Sequence, residues 1–388
     1  QDRINLEAYG AGNAMAQAYN HTILPLASHS DKVTQVVWGI ADFEHRFNRK
    51  PQGMWLPETA ADLETLQVLA DQGIEFTILA PWQSSIESID TTEPYKIALA
   101  RDRSISVFFY NAELSSRVSF DPGATINADA FAGYQVAPRF SREKTLSNEP
   151  QIILVASDGE LYGHHQKFRD IFLAHLVNGA STLAGINITY PALWLKNNPP
   201  RRTVTIRERT SWSCHHGVMR WMGECACTHG DGVWKAYMRR SFDRLAAALE
   251  QAFVDCVSPH VPNPIELRHR YIHVILRHQT ARDLICEMAG RSLDDDTIGQ
   301  IHLLLEAQRE RQRMFTSCGW FFDDFGRIEP KNNVAYAAQA VRLTRLATGI
   351  DLSTLALADL QHVISHHSGI RGDIIFRKQI QRAERPLA

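Results

Sequence analysis

The chain has 388 residues, of which 44% are apolar and 22% charged, and its net charge is −2. This composition is typical of a globular protein with room for about two domains, and the balanced charge excludes a global basic field for nucleic acid or an acidic membrane. No run of residues approaches the ~18 apolar residues of a membrane span. Six cysteines at irregular spacing favour a reducing, cytoplasmic compartment over a disulfide scaffold.

Strand-like and helix-like segments alternate in the first two hundred residues. The apolar run GMWL (53–56) is followed by a helical pattern at 59–72, with Thr59 as a candidate N-cap, and by the strand-like IEFTILA (74–80). Such a βαβ unit predicts a parallel sheet covered by helices. Further buried strands are expected at 104–111 and 151–157, and a helix at 168–182. The repetition suits either a barrel or an open α/β sheet.

The second half of the chain has a helical periodicity. The segment NNPPRRTV (197–204) has the composition of a linker, with two prolines and a basic pair. Beyond it, apolar residues recur at three- and four-residue spacing in 233–255, 264–289, 293–315 and 332–347. We therefore expect an α/β domain at 1–200 and an all-α domain at 206–388.

Two carboxylates, Glu58 and Asp158, each follow a predicted strand, and active sites of α/β barrels and sheets assemble at such strand ends. Glycoside hydrolysis needs two acids, one to protonate the leaving oxygen and one to attack the anomeric carbon. Trp55 offers a flat face for a sugar ring, and Tyr162 and His164 can hydrogen-bond hydroxyl groups. The alternative is structural: Glu58 would be a first-turn helix acid and Asp158 a turn residue.

At these residues the sequence resembles glycoside hydrolase family 57. The resemblance covers nearly the whole chain, and its most specific parts are GMWLPE and DGELYGHH. Two later segments, 209–221 and 315–324, resemble a poorly characterised branch of that family. The matching segments of the first half are YNHTILPLAS (19–28), WGIADFEHRFNRKPQGMWLPETA (38–60), IEFTILAPWQ (74–83) and SDGELYGHH (157–165).

The resemblance implies an incomplete (β/α)7-type barrel followed by a helical domain, and a retaining enzyme for α-glucan that needs no cofactor. It assigns Glu58 as the nucleophile and Asp158 as the acid/base, with carboxyl groups roughly 5–5.5 Å apart. His21 and His164 match positions near the family's motifs, so they are candidate substrate contacts or structural histidines. The family's N-terminal His motif does not precede Arg3, which predicts that the first barrel strand is missing.

The stretch WSCHHGVMRWMGECACTHGDGVW (212–234) combines cysteines, histidines and tryptophans. Our main interpretation is that Trp212, His216 and Trp221 wall the substrate cleft, with core packing of the tryptophans as one alternative. Zinc binding is a second alternative, but the stretch lacks the CxxC spacing of common zinc sites. No metal ligands are therefore assigned.

Other patterns leave further functions open. The aromatic segment FTSCGWFFDDFG (315–326) is either a second contribution to the cleft or a packing element with an acidic turn. HRYIH (269–273) and HVISH (362–366) each place two histidines on one helical face. Metal-dependent polysaccharide deacetylases use such a pair with an Asp, but the first half offers no matching Asp motif, so surface or helix-end histidines are our main interpretation. A carbohydrate-binding relative without catalytic activity is the remaining alternative.

Overall fold

The structure, a computed structural model, describes residues 1–384. The chain forms two compact units that are each assembled from separate segments. The first unit comprises Gln1–Ala16, Pro51–Trp55 and Leu69–Glu208; the second comprises Gln17–Lys50, Leu56–Val68 and the chain from Arg209 onward. The predicted division into domains at 1–200 and 206–388 stays a prediction.

The regular elements alternate in the first half and are helical in the second. The strands are β1 (Ala16–Gln17), β2 (Met54–Trp55), β3 (Phe76–Leu79), β4 (Tyr95–Ala98), β5 (Ser104–Phe109) and β6 (Arg202–Thr203). The helices are α1 (Asp2–Tyr9), α2 (His29–Phe47), α3 (Leu63–Asp71), α4 (Ala112–Phe120), α5 (Ala128–Ala130), α6 (Arg142–Leu146), α7 (Arg169–His175), α8 (Ser181–Leu183), α9 (Pro191–Asn197), α10 (Val233–Val257), α11 (Pro264–Arg270), α12 (Ile272–Ile275), α13 (Ala281–Ala289), α14 (Asp295–Arg313), α15 (Cys318–Phe321), α16 (Ile328–Thr348), α17 (Ser353–Leu360) and α18 (Gly372–Glu384).

The first unit contains a mixed sheet with the order β3-β5-β4-β6. β3 and β5 are parallel, with Phe76 opposite Ser106, whereas β4 runs antiparallel to β5 and parallel to β6. A single parallel bridge between Gly53 and Phe76 brings the β2 segment to this sheet. A Cβ at Gly53 would lie 2.3 Å from Cζ of Phe76, so the close approach requires glycine.

The helix predicted at 59–72 begins later than expected. Residues Pro57–Thr59 form a single 3-10 turn, and α3 starts at Leu63. The predicted cap Thr59 is wrong, because Oδ1 of Asp62 accepts the hydrogen bond from the amide of Thr65 at 2.7 Å. The helix ends at Asp71, and Gly73 just beyond it has a φ of 83°, a conformation that favours glycine.

The strand predicted at 151–157 does not form. Its backbone groups find separate partners: the amide of Ile152 donates to the carbonyl of Thr92 at 2.9 Å, and the carbonyl of Leu154 accepts from Asn111 at 2.8 Å. The amide of Ala156 donates to a side chain, Oγ of Ser115, at 3.0 Å. Because these partners lie on different segments, the apolar run is partly buried without a ladder of strand hydrogen bonds. The strands at 74–80 and 104–111 are confirmed as β3 and β5.

The helical predictions for the second half are confirmed, with breaks. The segment 264–289 is divided into α11, α12 and α13, and Arg277 between the last two has a φ of 62°. One core of the second unit packs α10 and α16 around the buried indoles of Trp221, Trp234 and Trp320. A second core surrounds Trp38 of α2, whose indole N–H donates to the carbonyl of His269 at 3.0 Å.

Within residues 1–384, none of the helices combines the length and the apolar character needed to cross a membrane.

Candidate active site

Glu58 lies in an unusual backbone conformation. Its φ and ψ are 57° and 22°, and the next residue, Thr59, has a φ of 49°. A residue with a side chain costs about 1–2 kcal/mol in this left-handed region, and a β-branched one is an outlier there. The turn is held by hydrogen bonds from Thr59 to Leu56 and from Ala60 to Pro57, at 2.8 and 2.9 Å. Such stored strain is a feature of functional sites.

The carboxylate of Glu58 is fixed by the segment that begins the second half of the chain. The indole Nε1 of Trp212 and Oγ of Ser213 donate to the same oxygen, Oε2, at 2.8 and 2.7 Å. The backbone amide of Trp212 also donates to the carbonyl of Glu58 at 3.0 Å. Because both the main chain and the side chain of Glu58 are bound by consecutive residues, the carboxylate has a defined direction.

His21 is positioned next to the aromatic segment around Ser317. Its Nδ1 lies 2.8 Å from Oγ of Ser317, and its carbonyl accepts the amide of Ser317 at 2.9 Å. The next residue, Cys318, is exposed and within electrostatic range of Glu58: partial desolvation raises the pKa of its thiol, and the negative charges of Glu58 and Glu329 raise it further. His21, Glu58, Trp212 and Cys318 are therefore parts of one region of the second unit.

The other predicted site residues of the first half belong to the first unit. Asp158 is exposed and precedes the short turn Gly159–Leu161. The hydroxyl of Tyr162 lies 2.9 Å from Oγ of Ser157, and the exposed ring of His164 is tilted against that of His165. Trp55 is half-buried in β2. Glu58 and Asp158 are in different units, and the predicted separation of their carboxyl groups stays a prediction.

Trp221 lies in the core of the second unit, where 1% of its surface is exposed. It also lines a cavity of about 210 Å³ together with Ile23, Phe315 and Trp320. Two charged residues, Asp31 and Arg311, line the same cavity. The core-packing alternative for this tryptophan is thus supported, while its contact with substrate stays a prediction.

The cysteine and histidine residues of the 212–234 stretch come together. Nδ1 of His216 lies 3.2 Å from Sγ of Cys225 and 3.4 Å from Sγ of Cys227. Sγ of Cys214 lies 3.6 Å from Sγ of Cys225. These contacts place the imidazole of His216 beside two thiols, and they support the zinc-binding alternative for this stretch.

The paired histidines have local partners instead of a common site. His269 contacts the hydroxyl of Thr34 at 3.0 Å, and His273 lies near His278. The ring of His362 lies against that of Tyr237 in a tilted arrangement, while Nε2 of His366 lies 2.8 Å from the carboxylate of Asp231. Among residues 1–384, the one cluster of ligand atoms compact enough for a metal ion is that at 214–227. The deacetylase alternative gains no support from these pairs.

The acidic turn of the aromatic segment is structural. Asp324 is buried and accepts hydrogen bonds from Oγ of Ser365 and from the amides of His366 and Gly326, at 3.0, 3.0 and 2.8 Å. The residues of this segment that are related to the candidate site are Ser317, which contacts His21, and Cys318, whose thiol is affected by the charge of Glu58. The sequence did not single out either residue. Ser213 was also missed, since a serine beside a tryptophan carries no signal of its contact with a distant glutamate.

Comparison with known proteins identifies the family. The sequence model of glycosyl hydrolase family 57 matches residues 5–207, which include both acidic motifs. Residues 232–387 match a domain of unknown function, DUF3536. The chain therefore belongs to glycosyl hydrolase family 57, and its predicted class, a glycosidase, is confirmed. No curated protein matches it.

Several solved structures share the fold. An exo-type maltose-forming amylase from Pyrococcus sp. ST04 aligns with a TM-score of 0.77 at 16% identity, over 96% of this chain and 72% of the amylase. A branching enzyme of family 57 from Pyrococcus horikoshii aligns with a TM-score of 0.60 at 17% identity, over 99% and 74%. The α-amylase AmyC from Thermotoga maritima aligns at 0.55 and 12%, over 96% and 74%. The predicted fold class, an α/β protein with an incomplete (β/α)7-type barrel followed by a helical domain, is confirmed.

Proposed function

We propose that the chain is a retaining glycosidase or transglycosidase for α-glucan, with Glu58 as nucleophile and Asp158 as acid/base. The observation that carries this proposal is the carboxylate of Glu58, which accepts two hydrogen bonds, stands on a strained backbone turn and lies within the region matched by the family model. An amylase and a branching enzyme among the structural neighbours support an α-glucan as the substrate.

In the first step, a carboxylate oxygen of Glu58 bonds to the anomeric carbon while the glycosidic bond breaks, and Asp158 donates its proton to the leaving oxygen. A covalent glycosyl-enzyme results. In the second step, Asp158 removes a proton from water or from a sugar hydroxyl, which attacks the anomeric carbon and releases Glu58. Water gives hydrolysis, and a sugar hydroxyl gives transfer.

The remaining candidate residues have supporting roles in this proposal. Trp212 and Ser213 hold the carboxylate of the nucleophile by hydrogen bonds. His21 contacts the hydroxyl of Ser317, which belongs to the same region. Trp55, Tyr162 and His164 stay candidate sugar contacts, with polar groups or aromatic faces suited to hydroxyls and rings. The absence of a required cofactor and the cytoplasmic location also stay predictions.

The experiment is an assay of the purified protein with maltoheptaose, following both new reducing ends and redistribution of chain length. The proposal expects turnover that falls at least a thousandfold in E58Q and D158N. The matched controls are E7Q, on the exposed face of α1, and D255N, at an exposed position of α10, and both should keep wild-type turnover. Binding of maltoheptaose without turnover, unchanged in E58Q, would instead identify a carbohydrate-binding relative.

A further inference from the structure

The cluster formed by Cys214, His216, Cys225 and Cys227 has the dimensions of a tetrahedral metal site. A zinc ion with Zn–S bonds of ~2.3 Å and Zn–N bonds of ~2.0–2.1 Å requires ligand separations of about 3.6–3.8 Å. The observed separations of neighbouring ligand atoms are 3.2, 3.4 and 3.6 Å, and all four atoms lie within 4.8 Å of one another.

We propose that these four side chains bind one structural zinc ion. Three thiolates and an imidazole nitrogen complete a tetrahedron, so no position remains for water or substrate, and the ion is structural and not catalytic. The Cys-x-Cys spacing at 225–227 hides the site in the sequence, because the Cys-x-x-Cys pattern of common zinc sites is absent. This inference does not depend on the proposed function.

The surroundings of the cluster suit a metal–thiolate centre. Cys214 and Cys225 are buried, Cys227 is partly buried, and the exposed ring of His216 leaves a path for the ion to enter. Three thiolates and a zinc ion carry a net charge of −1. The fully buried ammonium of Lys235 lies within electrostatic range of Cys225 and Cys214 and can balance this charge. Its Nζ donates to Oγ1 of Thr228 at 3.1 Å.

The ion would fix the segment that holds Glu58. Cys214 directly follows Trp212 and Ser213, the two residues that donate to Oε2 of Glu58. Cys225 and Cys227 precede helix α10, which packs in the core of the second unit. Zinc would therefore fasten the segment around Trp212 to the start of α10, replacing the regular structure that this loop-rich region lacks.

The test begins with the zinc content of the full chain, purified from zinc-supplemented cells and dialysed against metal-free buffer. We expect one zinc ion per chain in the wild type and in the control C286S, whose cysteine lies outside the cluster on α13. C225S should lose at least nine-tenths of the zinc. A wild type without zinc, or a C225S variant that keeps it, would overturn the proposal.

Cobalt substitution in the wild type tests the metal site even if the C225S variant fails to fold. Co²⁺ added to the metal-depleted wild type should give the intense visible bands of a tetrahedral cobalt–thiolate centre, and Zn²⁺ should remove them. A pale, octahedral spectrum would contradict the proposal. So would a disulfide between Cys214 and Cys225 in freshly purified protein, found by mass spectrometry of peptides, because a disulfide leaves only two of the four ligands.

Discussion

The indole of Trp212 donates a hydrogen bond of 2.8 Å to Oε2 of Glu58, and its backbone amide donates one of 3.0 Å to the carbonyl of the same residue. One residue thus controls both the side-chain direction and the strained backbone of the proposed nucleophile. Because the two residues are 154 positions apart in the sequence, this control depends on the fold and not on local geometry.

Replacing Trp212 by Phe tests this control. A hydrogen bond to a charged group is worth about 1.5–3 kcal/mol, and about 1.4 kcal/mol corresponds to a tenfold change in rate. W212F should therefore lower kcat on maltoheptaose by roughly ten- to a hundredfold. The matched control is W194F, since the buried indole N–H of Trp194 has no hydrogen-bond partner in the described structure. Equal kcat values for W212F and W194F would show that the Trp212 contact has no part in turnover.

Gly217 closes the turn that follows Cys214. Its φ is 78°, and a Cβ there would lie 2.4 Å from the carbonyl oxygen of Arg209. G217A should therefore lower the free energy of unfolding by about 2–3 kcal/mol, measured by urea denaturation. G133A is the matched control, because a Cβ at Gly133 meets no atom within 4 Å. A G217A variant as stable as the wild type would refute the close approach.

The thiol of Cys318 reports on the charge of Glu58. Partial desolvation raises the pKa of this thiol, and the carboxylates of Glu58 and Glu329 raise it further. In E58Q the pKa of Cys318 should fall, so a larger fraction of this thiol is thiolate, the form that iodoacetamide alkylates. Alkylation should therefore be faster in E58Q at a fixed pH close to the ordinary thiol pKa of about 8.5. Cys256 serves as an internal control in the same digest. Its pKa is raised by burial and by the charge of Asp255, so the E58Q change should leave its alkylation rate unaltered. An unchanged alkylation rate of Cys318 in E58Q would mean that the charge of Glu58 does not act on this thiol.

Stability should depend on pH through His269. Burial, together with the positive charges of Arg268 and His29, lowers its pKa from 6.5 to about 4, while the charge of Asp31 opposes this shift. The unfolded chain binds the proton near 6.5 and the folded chain does not, so stability is present above 6.5 and is lost as the pH falls towards 4. The loss amounts to at most about 3.4 kcal/mol, from 1.36 kcal/mol per unit of pKa shift.

This effect is measured by urea unfolding at about pH 7.5 and about pH 5, on either side of the ordinary histidine pKa of about 6.5. The loss between the two values should be smaller in H269Q than in the wild type. H367Q, which changes an exposed histidine, should behave as the wild type. If H269Q and the wild type lose the same stability, the buried histidine does not titrate as described.

The sequence predicted the parts of this molecule that depend on short-range patterns. The strands β3 and β5 and the helices of the second half follow from apolar spacing, and Glu58 was found from its motif. The predicted strand at 151–157 is wrong, because an apolar run indicates burial but does not supply a neighbouring strand for hydrogen bonding. The contacts of Glu58 with Trp212 and Ser213 join distant positions, so no local pattern could reveal them.

The cluster at Cys214 shows the same limit. Its residue types were visible in the sequence, but the spacing gave no reason to prefer a metal site over a cleft wall. Only the folded loop brings His216 within 3.4 Å of two thiols. The DUF3536 match begins at residue 232, after this loop and outside the family 57 match, which ends at 207. The loop that holds both the cluster and the partners of Glu58 thus lies between the two matched regions.

The central claim, that Glu58 is the nucleophile and Asp158 the acid/base, is tested most directly by azide rescue with 4-nitrophenyl α-maltoside. In E58A, azide should restore turnover by attacking from the vacated side and give the β-glycosyl azide; in D158A, it should attack the glycosyl-enzyme and give the α-glycosyl azide. The anomers are distinguished by NMR. Wild-type hydrolysis by E58A without azide, or an α-glycosyl azide from that variant, would contradict the assignment.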